Sequence, residues 1–146
     1  LMVVALTREA QRSFGHLFEK GLVDKRYEAI VEGCVEQKQG CIKLKQGPDR
    51  LEPPRQKLCS DGKMGITHWR VLKCISTHTR VELSPLTGRT HQLRLHMSIG
   101  LKHPIKGDPL YGNAQSAERL MLHARDLSFP HPFSQKKMTF HSPAPF

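Results

Sequence analysis

Two neighbouring stretches with alternating apolar positions constrain the fold more than any other feature of this sequence. Residues 65–75, GITHWRVLKCI, and residues 79–86, TRVELSPL, both show the period of two that is typical of β-strands. The polar segment STHT lies where the two stretches meet and suits a tight turn. These stretches therefore predict a β-hairpin, and with it an antiparallel sheet.

Three further segments predict regular structure. Residues 25–33, KRYEAIVEG, alternate in the same way, with Tyr27 on one face of the predicted strand. Residues 1–6 are apolar throughout, which predicts a short buried strand. Thr7 is a suitable N-cap for a helix over residues 8–20, which Gly21 would end.

The remaining segments are less regular. Residues 36–61 are polar and interrupted by Pro and Gly, which predicts a long basic loop with one short strand at 41–44. We expect a helix over about 90–100, a strand around 120–127 and a last strand near the C-terminus. The predicted class is α+β: a mixed, mainly antiparallel sheet with a few flanking helices, in one domain spanning residues 1–146.

Net charge, hydropathy and cysteine spacing limit the possible binding partners, cellular location and metal content. The chain has 146 residues and a net charge of +10, which favours a polyanion such as RNA, although a basic protein without nucleic acid is an open alternative. No apolar run is long enough for a membrane span, and no signal peptide is recognisable, so we expect a cytoplasmic protein, with organelle or nucleus as alternatives. The four cysteines have no CxxC spacing, so we expect no zinc site. A chain of 146 residues with its own core does not need disulfides, so we expect reduced thiols.

The densest set of hydrogen-bond donors lies in residues 86–97, LTGRTHQLRLHM. On a helix, Arg89 and Arg94 would lie about 140° apart, so one of them would point inward. An inward guanidinium needs a carboxylate or phosphate partner, and a nearby acidic residue is one open possibility. Metal binding by His91 and His96 is disfavoured, because their spacing of five residues is wrong for two ligands on one helix face.

Several motifs carry a family resemblance. Residues 84–112, SPLTGRTHQLRLHMSIGLKHPIKGDPLYG, resemble the long signature of the RluA-type RNA pseudouridine synthases. Residues 25–33 resemble the K-x-Y-x-A-x-V-x-G strand of that family, and residues 67–73 and 119–132 match it in order and approximate spacing. The resemblance therefore covers nearly the whole chain.

The resemblance implies an isomerase that converts uridine to pseudouridine in structured RNA, ribosomal or transfer RNA, without cofactor or metal. The target base would be flipped into a pocket and attacked by a nucleophilic Asp. Arg94 matches the arginine that pairs with that carboxylate, and Tyr27 matches the tyrosine that stacks on the uracil. Pairing with Arg94 would keep the Asp ionised and oriented.

Other positions are expected to bind substrate. The resemblance places Lys25, Arg26 and Arg89 against RNA phosphates, and His91 and Gln92 within the binding segment. Leu122 belongs to the expected far wall of the uracil pocket, although core packing explains an apolar strand equally well. The loop residues Arg50, Arg55 and Lys57 are weaker candidates, and Asp108 is expected to cap a turn.

The sequence departs from the family at one point. The H-R-L-D stretch that carries the nucleophile does not occur in these 146 residues, whose start matches the strand that follows it. We therefore expect this chain alone to be inactive and an upstream segment to supply the Asp. The alternatives are a catalytically inactive RNA-binding protein or remnant on the same scaffold, or a separate chain that supplies the missing part.

Overall fold

The computed structural model describes all residues from Leu1 to Phe146. Its centre is one seven-stranded antiparallel sheet. In chain order the strands are β1 (Asp24–Glu32), β2 (Gln39–Pro48), β3 (Gln56–Leu58), β4 (Lys63–Ile75), β5 (His78–Pro85), β6 (Leu122–Pro130) and β7 (Lys137–His141). Across the sheet they run β3-β2-β4-β5-β1-β6-β7, with β5 and β1 near the middle. The predicted α+β class is confirmed.

The two helices pack against the sheet. Helix α1 (Arg8–Glu19) begins at Thr7, whose hydroxyl accepts a hydrogen bond from the Ala10 N–H at 3.1 Å, as the sequence predicts. Helix α2 (Gln92–Leu95) continues as a π-helical turn over His96–Gly100. Residues 90–100 are therefore helical only from Gln92 onward, because the chain before it forms a turn.

The main core lies between β1, β4 and β5 and the helix that follows them. The inward positions of the strands, among them Ala29, Trp69 and Leu83, pack against Leu93 and Met97. A smaller cluster of Leu17, Val23 and Phe129 fixes α1 to the sheet. The strict alternation of β1 and β5 therefore positions the residues of one face against the helical segment that carries the basic motif.

The opposite face of the sheet carries an ion-pair network instead of an apolar layer. Arg125 sits at a bulge of β6 and donates to Glu28 and Glu82 at 2.6 Å each. Arg80 pairs with Glu28 and Arg70 pairs with Glu82. These charges satisfy both buried carboxylates across four neighbouring strands, so this face is stable without a hydrophobic cover.

Three predictions about the fold were wrong. Residues 1–6 form no strand: they take no place in the sheet, and Met2 and Leu6 are exposed. Residues 36–61 contain a ten-residue strand and a second short one, because Ile42, Leu44 and Gln46 point inward between outward lysines. Cys34 and Cys74, expected as free thiols, are disulfide-bonded, with their Cα atoms 6.0 Å apart. No helix is long and apolar enough to cross a membrane.

Candidate active site

A cavity of about 320 Å³ opens between β1, the end of β5 and the start of α2. That volume is in the range of small-molecule sites and suits one nucleobase. The cavity brings together all the predicted site residues except one: Lys25, Tyr27, Arg89, His91, Gln92, Arg94 and Leu122. Arg26 lies apart from them, because alternation along β1 turns it towards a separate depression on the other face.

All the residues of this cavity lining that are charged at neutral pH are basic. Its lining contains Lys25, Arg89 and Arg94, and no Asp or Glu. A larger depression of about 440 Å³ contains the Arg70–Glu82 ion pair, so its charges are already balanced. Lys25 and Arg89 have no acidic partner, so the cavity beside Tyr27 offers an external anion two positive charges that the protein does not neutralise.

Tyr27 forms the aromatic wall of the cavity. It lies on β1 between Leu83 of β5 and Ala124 of β6, and its ring is half-buried. Burial raises the pKa of the Tyr27 phenol, so the hydroxyl stays protonated at neutral pH. Phe18, Leu93 and Leu122, with Pro85, form the rest of the apolar lining. The sequence did not single out Phe18, because its place in the apolar stripe of α1 suggested only core packing.

Arg94 points inward, as predicted, and its partner is a local acid. Its Nε donates to Asp108 Oδ2 at 2.9 Å and its Nη2 donates to Oδ1 at 2.6 Å. Asp108 is fully buried and also accepts the backbone N–H groups of Leu110 and Tyr111. The predicted turn-capping role of Asp108 is confirmed. A nearby acid was one open possibility for the partner of an inward arginine, but Asp108 was not identified as that acid.

The Arg94–Asp108 pair leaves part of the guanidinium available. Asp108 uses Nε and Nη2, whereas Nη1 makes no hydrogen bond within the protein, and Arg94 lines the cavity. The Arg94 hydrogen bonds hold the pKa of Asp108 below its usual value although burial acts in the opposite direction. Asp108 thus fixes the orientation of Arg94, and Nη1 is free to hold a second anionic group.

The turn before α2 is held by one buried amide. Gln92 Oε1 accepts the Thr87 hydroxyl at 2.7 Å and the Arg89 N–H at 3.0 Å. Its Nε2 donates to Ile66 O and to the Thr67 hydroxyl, each at 3.0 Å. All four hydrogen-bonding positions of this amide are therefore used inside the protein. Gln92 lines the cavity, but its observed task is to shape the turn that carries Arg89.

The basic residues differ in whether an acidic side chain already pairs with them. The Lys25 ammonium lies 5.7 Å from the centre of the Phe18 ring and forms no ion pair, and burial lowers its pKa. Arg89 is exposed and donates from Nε to Met64 O at 3.1 Å. Arg55 and Lys57 are each paired with a nearby acid, which leaves less of their charge for a ligand.

His91 joins the cavity to a residue that the sequence did not single out as a site residue. Its Nδ1 lies 3.0 Å from the hydroxyl of Tyr111, which is buried in the turn after Asp108. The same hydroxyl accepts the Gln56 backbone N–H of β3 at 2.7 Å. The sequence does not predict this contact, because spacing alone does not reveal that the turn carrying Tyr111 folds back against His91.

Comparison with known proteins identifies the class that this fold and cavity define. Residues 1–99 match the family described as RNA pseudouridylate synthase, and the chain belongs to that family. It is 41% identical to the dual-specificity RNA pseudouridine synthase RluA of Pasteurella multocida, over 100% of this chain and 68% of that protein. It is 40% identical to the RluA of Escherichia coli K12 over the same shares. Within the family it is therefore an RluA-type sequence.

A solved structure agrees. The structure of human RNA pseudouridylate synthase domain containing 1 superposes with a TM-score of 0.83 at 32% identity. The match covers 98% of this chain and 63% of that one, so this chain spans just under two thirds of that structure. YjbO of Bacillus subtilis, described as an uncharacterised RNA pseudouridine synthase, is 40% identical over 99% of this chain and 51% of its own length.

Proposed function

We propose that these residues are part of an RNA pseudouridine synthase and that the cavity beside Tyr27 receives the target uracil. The observation that supports this most strongly is the composition of the cavity. An aromatic ring, an apolar wall and three basic residues surround a volume that suits one flipped base, without an acidic residue. Stacking of uracil on Tyr27 would contribute about 1–3 kcal/mol.

The reaction would use Arg94 through its unpaired Nη1. A nucleophilic Asp supplied from outside these 146 residues would bind there, remain ionised and point into the cavity. The bond from ribose to N1 of uracil would break, the base would turn, and a bond from ribose to C5 would form, after which C5 loses a proton and N1 gains one. The protonated Tyr27 phenol on the cavity wall would donate a proton to N1 and accept the proton that leaves C5, so the number of protons is unchanged.

Lys25 and Arg89 would hold the RNA backbone at the cavity mouth. Neither has an acidic partner, so each can neutralise a phosphate and release counterions. Arg26, on the other face, would contact RNA only at a distance from the target base. Ribosomal or transfer RNA as substrate, and a cytoplasmic location, are part of this proposal.

A second candidate function is RNA binding without chemistry. It is favoured by the same lack of a carboxylate at the cavity. Both candidates are tested by incubating transcribed ribosomal and transfer RNA with two proteins: this chain alone, and this chain preceded by its natural upstream sequence. Pseudouridine is then measured by nucleoside mass spectrometry.

We expect the longer protein to form pseudouridine and the 146-residue chain to form none. Binding of RNA by both proteins without product from either would support the binding protein and overturn the enzyme. Product from the 146-residue chain would overturn the role given to an external carboxylate. An Arg94→Lys variant of the longer protein is the matched test of the pairing, because Lys keeps the charge and loses the planar donor set.

A further inference from the structure

The hydrogen-bond chain from Gln56 through Tyr111 to His91 has a direction. We propose that it fixes His91 in the neutral form protonated on Nε2, and that this Nε2–H recognises a carbonyl oxygen of the target uracil. This inference rests on the proposed function, since it assigns a recognition role within the same cavity. It also makes the β3 segment, through Tyr111, a positioning element for the site.

The direction follows from the donor at the start of the chain. A backbone N–H can only donate, so the Gln56 N–H, 2.7 Å away, occupies one lone pair of the Tyr111 hydroxyl. The hydroxyl proton of Tyr111 then needs an acceptor of its own, and His91 Nδ1 at 3.0 Å is the one within reach. If Nδ1 carried a proton instead, the buried Tyr111 hydroxyl proton would have no acceptor.

The surroundings of His91 favour the neutral ring. Burial and the nearby Arg94 guanidinium lower the pKa of His91, and Asp108 acts weakly in the opposite direction. With Nδ1 accepting from Tyr111, a neutral ring carries its single proton on Nε2. His91 therefore offers one defined donor.

The backbone conformation of His91 places this residue in the wall of the cavity. His91 has a left-handed conformation, with φ at 53° and ψ at 19°, immediately before the first residue of α2. The ring packs edge-on against Tyr111, with the centres of the two rings 5.7 Å apart. Nε2 has no hydrogen-bond partner in the protein and is accessible to solvent, and His91 lines the cavity.

Uracil has carbonyl oxygens at positions that a single N–H donor can read. The cationic donors of the cavity suit phosphate or carboxylate, and the Gln92 amide is fully occupied. The Tyr27 phenol is also neutral, but in the proposed function its ring stacks on the face of the base, so His91 is the neutral side chain left to read the edge of the base. The Arg55 guanidinium lies 5.6 Å from the centre of the Tyr111 ring, so RNA that contacts Arg55 would also affect the hydrogen-bond chain from Gln56 through Tyr111 to His91.

The test is nitrogen-15 NMR of the histidine-labelled chain at pH 7. Correlations from carbon-bound ring protons to the ring nitrogens show which nitrogen carries the proton, and a His91→Asn variant assigns the signals. Asn tolerates the left-handed backbone, so this variant is expected to fold. We expect His91 to be protonated on Nε2, and Tyr111→Phe to give a mixture of both tautomers. Protonation on Nδ1 in the unmodified chain would overturn the inference.

A second measurement tests recognition and keeps the two proposals apart. A short RNA hairpin with one uridine in its loop is compared with the same hairpin carrying an abasic site at that position. The uridine RNA is expected to shift His91 Nε2 and the Tyr27 ring signals, and the abasic RNA to shift neither. His91→Asn should weaken binding of the uridine RNA about two- to tenfold, as expected for one hydrogen bond, and leave the abasic RNA unaffected.

The outcomes separate cleanly. If the uridine RNA shifts Tyr27 but leaves His91 Nε2 unchanged, the recognition role of His91 is wrong and the proposed function stands. If neither RNA affects any cavity residue, the proposed function is overturned, and the inference with it.

Discussion

Removing the charge of Asp108 should destabilise the protein strongly. In Asp108→Asn one oxygen remains to accept the Leu110 and Tyr111 N–H groups, but the Arg94 guanidinium loses its counterion and faces an amide that can itself donate. Breaking a buried ion pair from one side costs about 3–5 kcal/mol. Because 15% of the Arg94 side chain is exposed, we expect the lower end, about 3 kcal/mol.

The assay is urea unfolding followed by the fluorescence of Trp69, the only tryptophan and a core residue. A loss of about 3 kcal/mol corresponds to a midpoint about 1–3 M urea lower. Asp61→Asn is the matched control, since Asp61 is exposed and forms no ion pair, and it should change the free energy of unfolding by less than about 0.5 kcal/mol.

The pH dependence provides a second check. The folded pKa of Asp108 lies below its unfolded value, so its contribution is complete above the unfolded pKa of about 3.9 and disappears as the pH falls through the folded pKa. The difference between the unmodified chain and Asp108→Asn should therefore narrow below about pH 4. Equal free energies of unfolding for Asp108→Asn and Asp61→Asn at pH 7 would show that the Arg94–Asp108 ion pair does not stabilise the fold.

Two further predictions concern stability. Gly107 has φ at 72°, and a Cβ there would lie 2.0 Å from Arg119 O, so Gly107→Ala should lower the free energy of unfolding by more than about 2 kcal/mol. The control is Gly15→Ala in α1, where a Cβ meets nothing within 4 Å and the change should be neutral or stabilising. Equal urea midpoints for the two variants would contradict this. Burial lowers the pKa of His96 to about 4, so the unfolded state binds its proton first and stability should fall by about 3 kcal/mol between pH 6.5 and 4; an undiminished slope in His96→Gln would contradict this.

The sequence predicts those parts of the fold whose side chains alternate cleanly. β1, β4 and β5 have apolar residues on one face, and the predicted strands match them. β2 was largely missed because its inward positions include Gln46 and its outward positions are lysines, which gives the composition of a loop. Residues 1–6 are apolar but form no strand, because an apolar composition alone does not provide a neighbouring strand to pair with.

The sequence predicts many of the residues that line the cavity, but it does not predict the contacts between side chains there. Motif resemblance indicated Tyr27 and Arg94, and the structure places both at one cavity. The local counterion Asp108 and the Tyr111–His91 contact depend on how residues 103–112 fold back over α2. Hydrogen-bond direction across such a turn is a tertiary property, and no spacing in the sequence encodes it visibly.

The most direct test of the central claim measures pseudouridine in RNA treated with the longer protein, comparing Tyr27→Leu with the unmodified sequence. Leu keeps an apolar side chain at the cavity wall and removes the aromatic face. We predict a loss of about tenfold to hundredfold in product formation, as expected for lost base stacking of about 1–3 kcal/mol. Phe133→Ala, which removes an exposed aromatic ring outside the cavity, should leave product formation unchanged. Undiminished product from Tyr27→Leu would show that the uracil does not bind beside this ring.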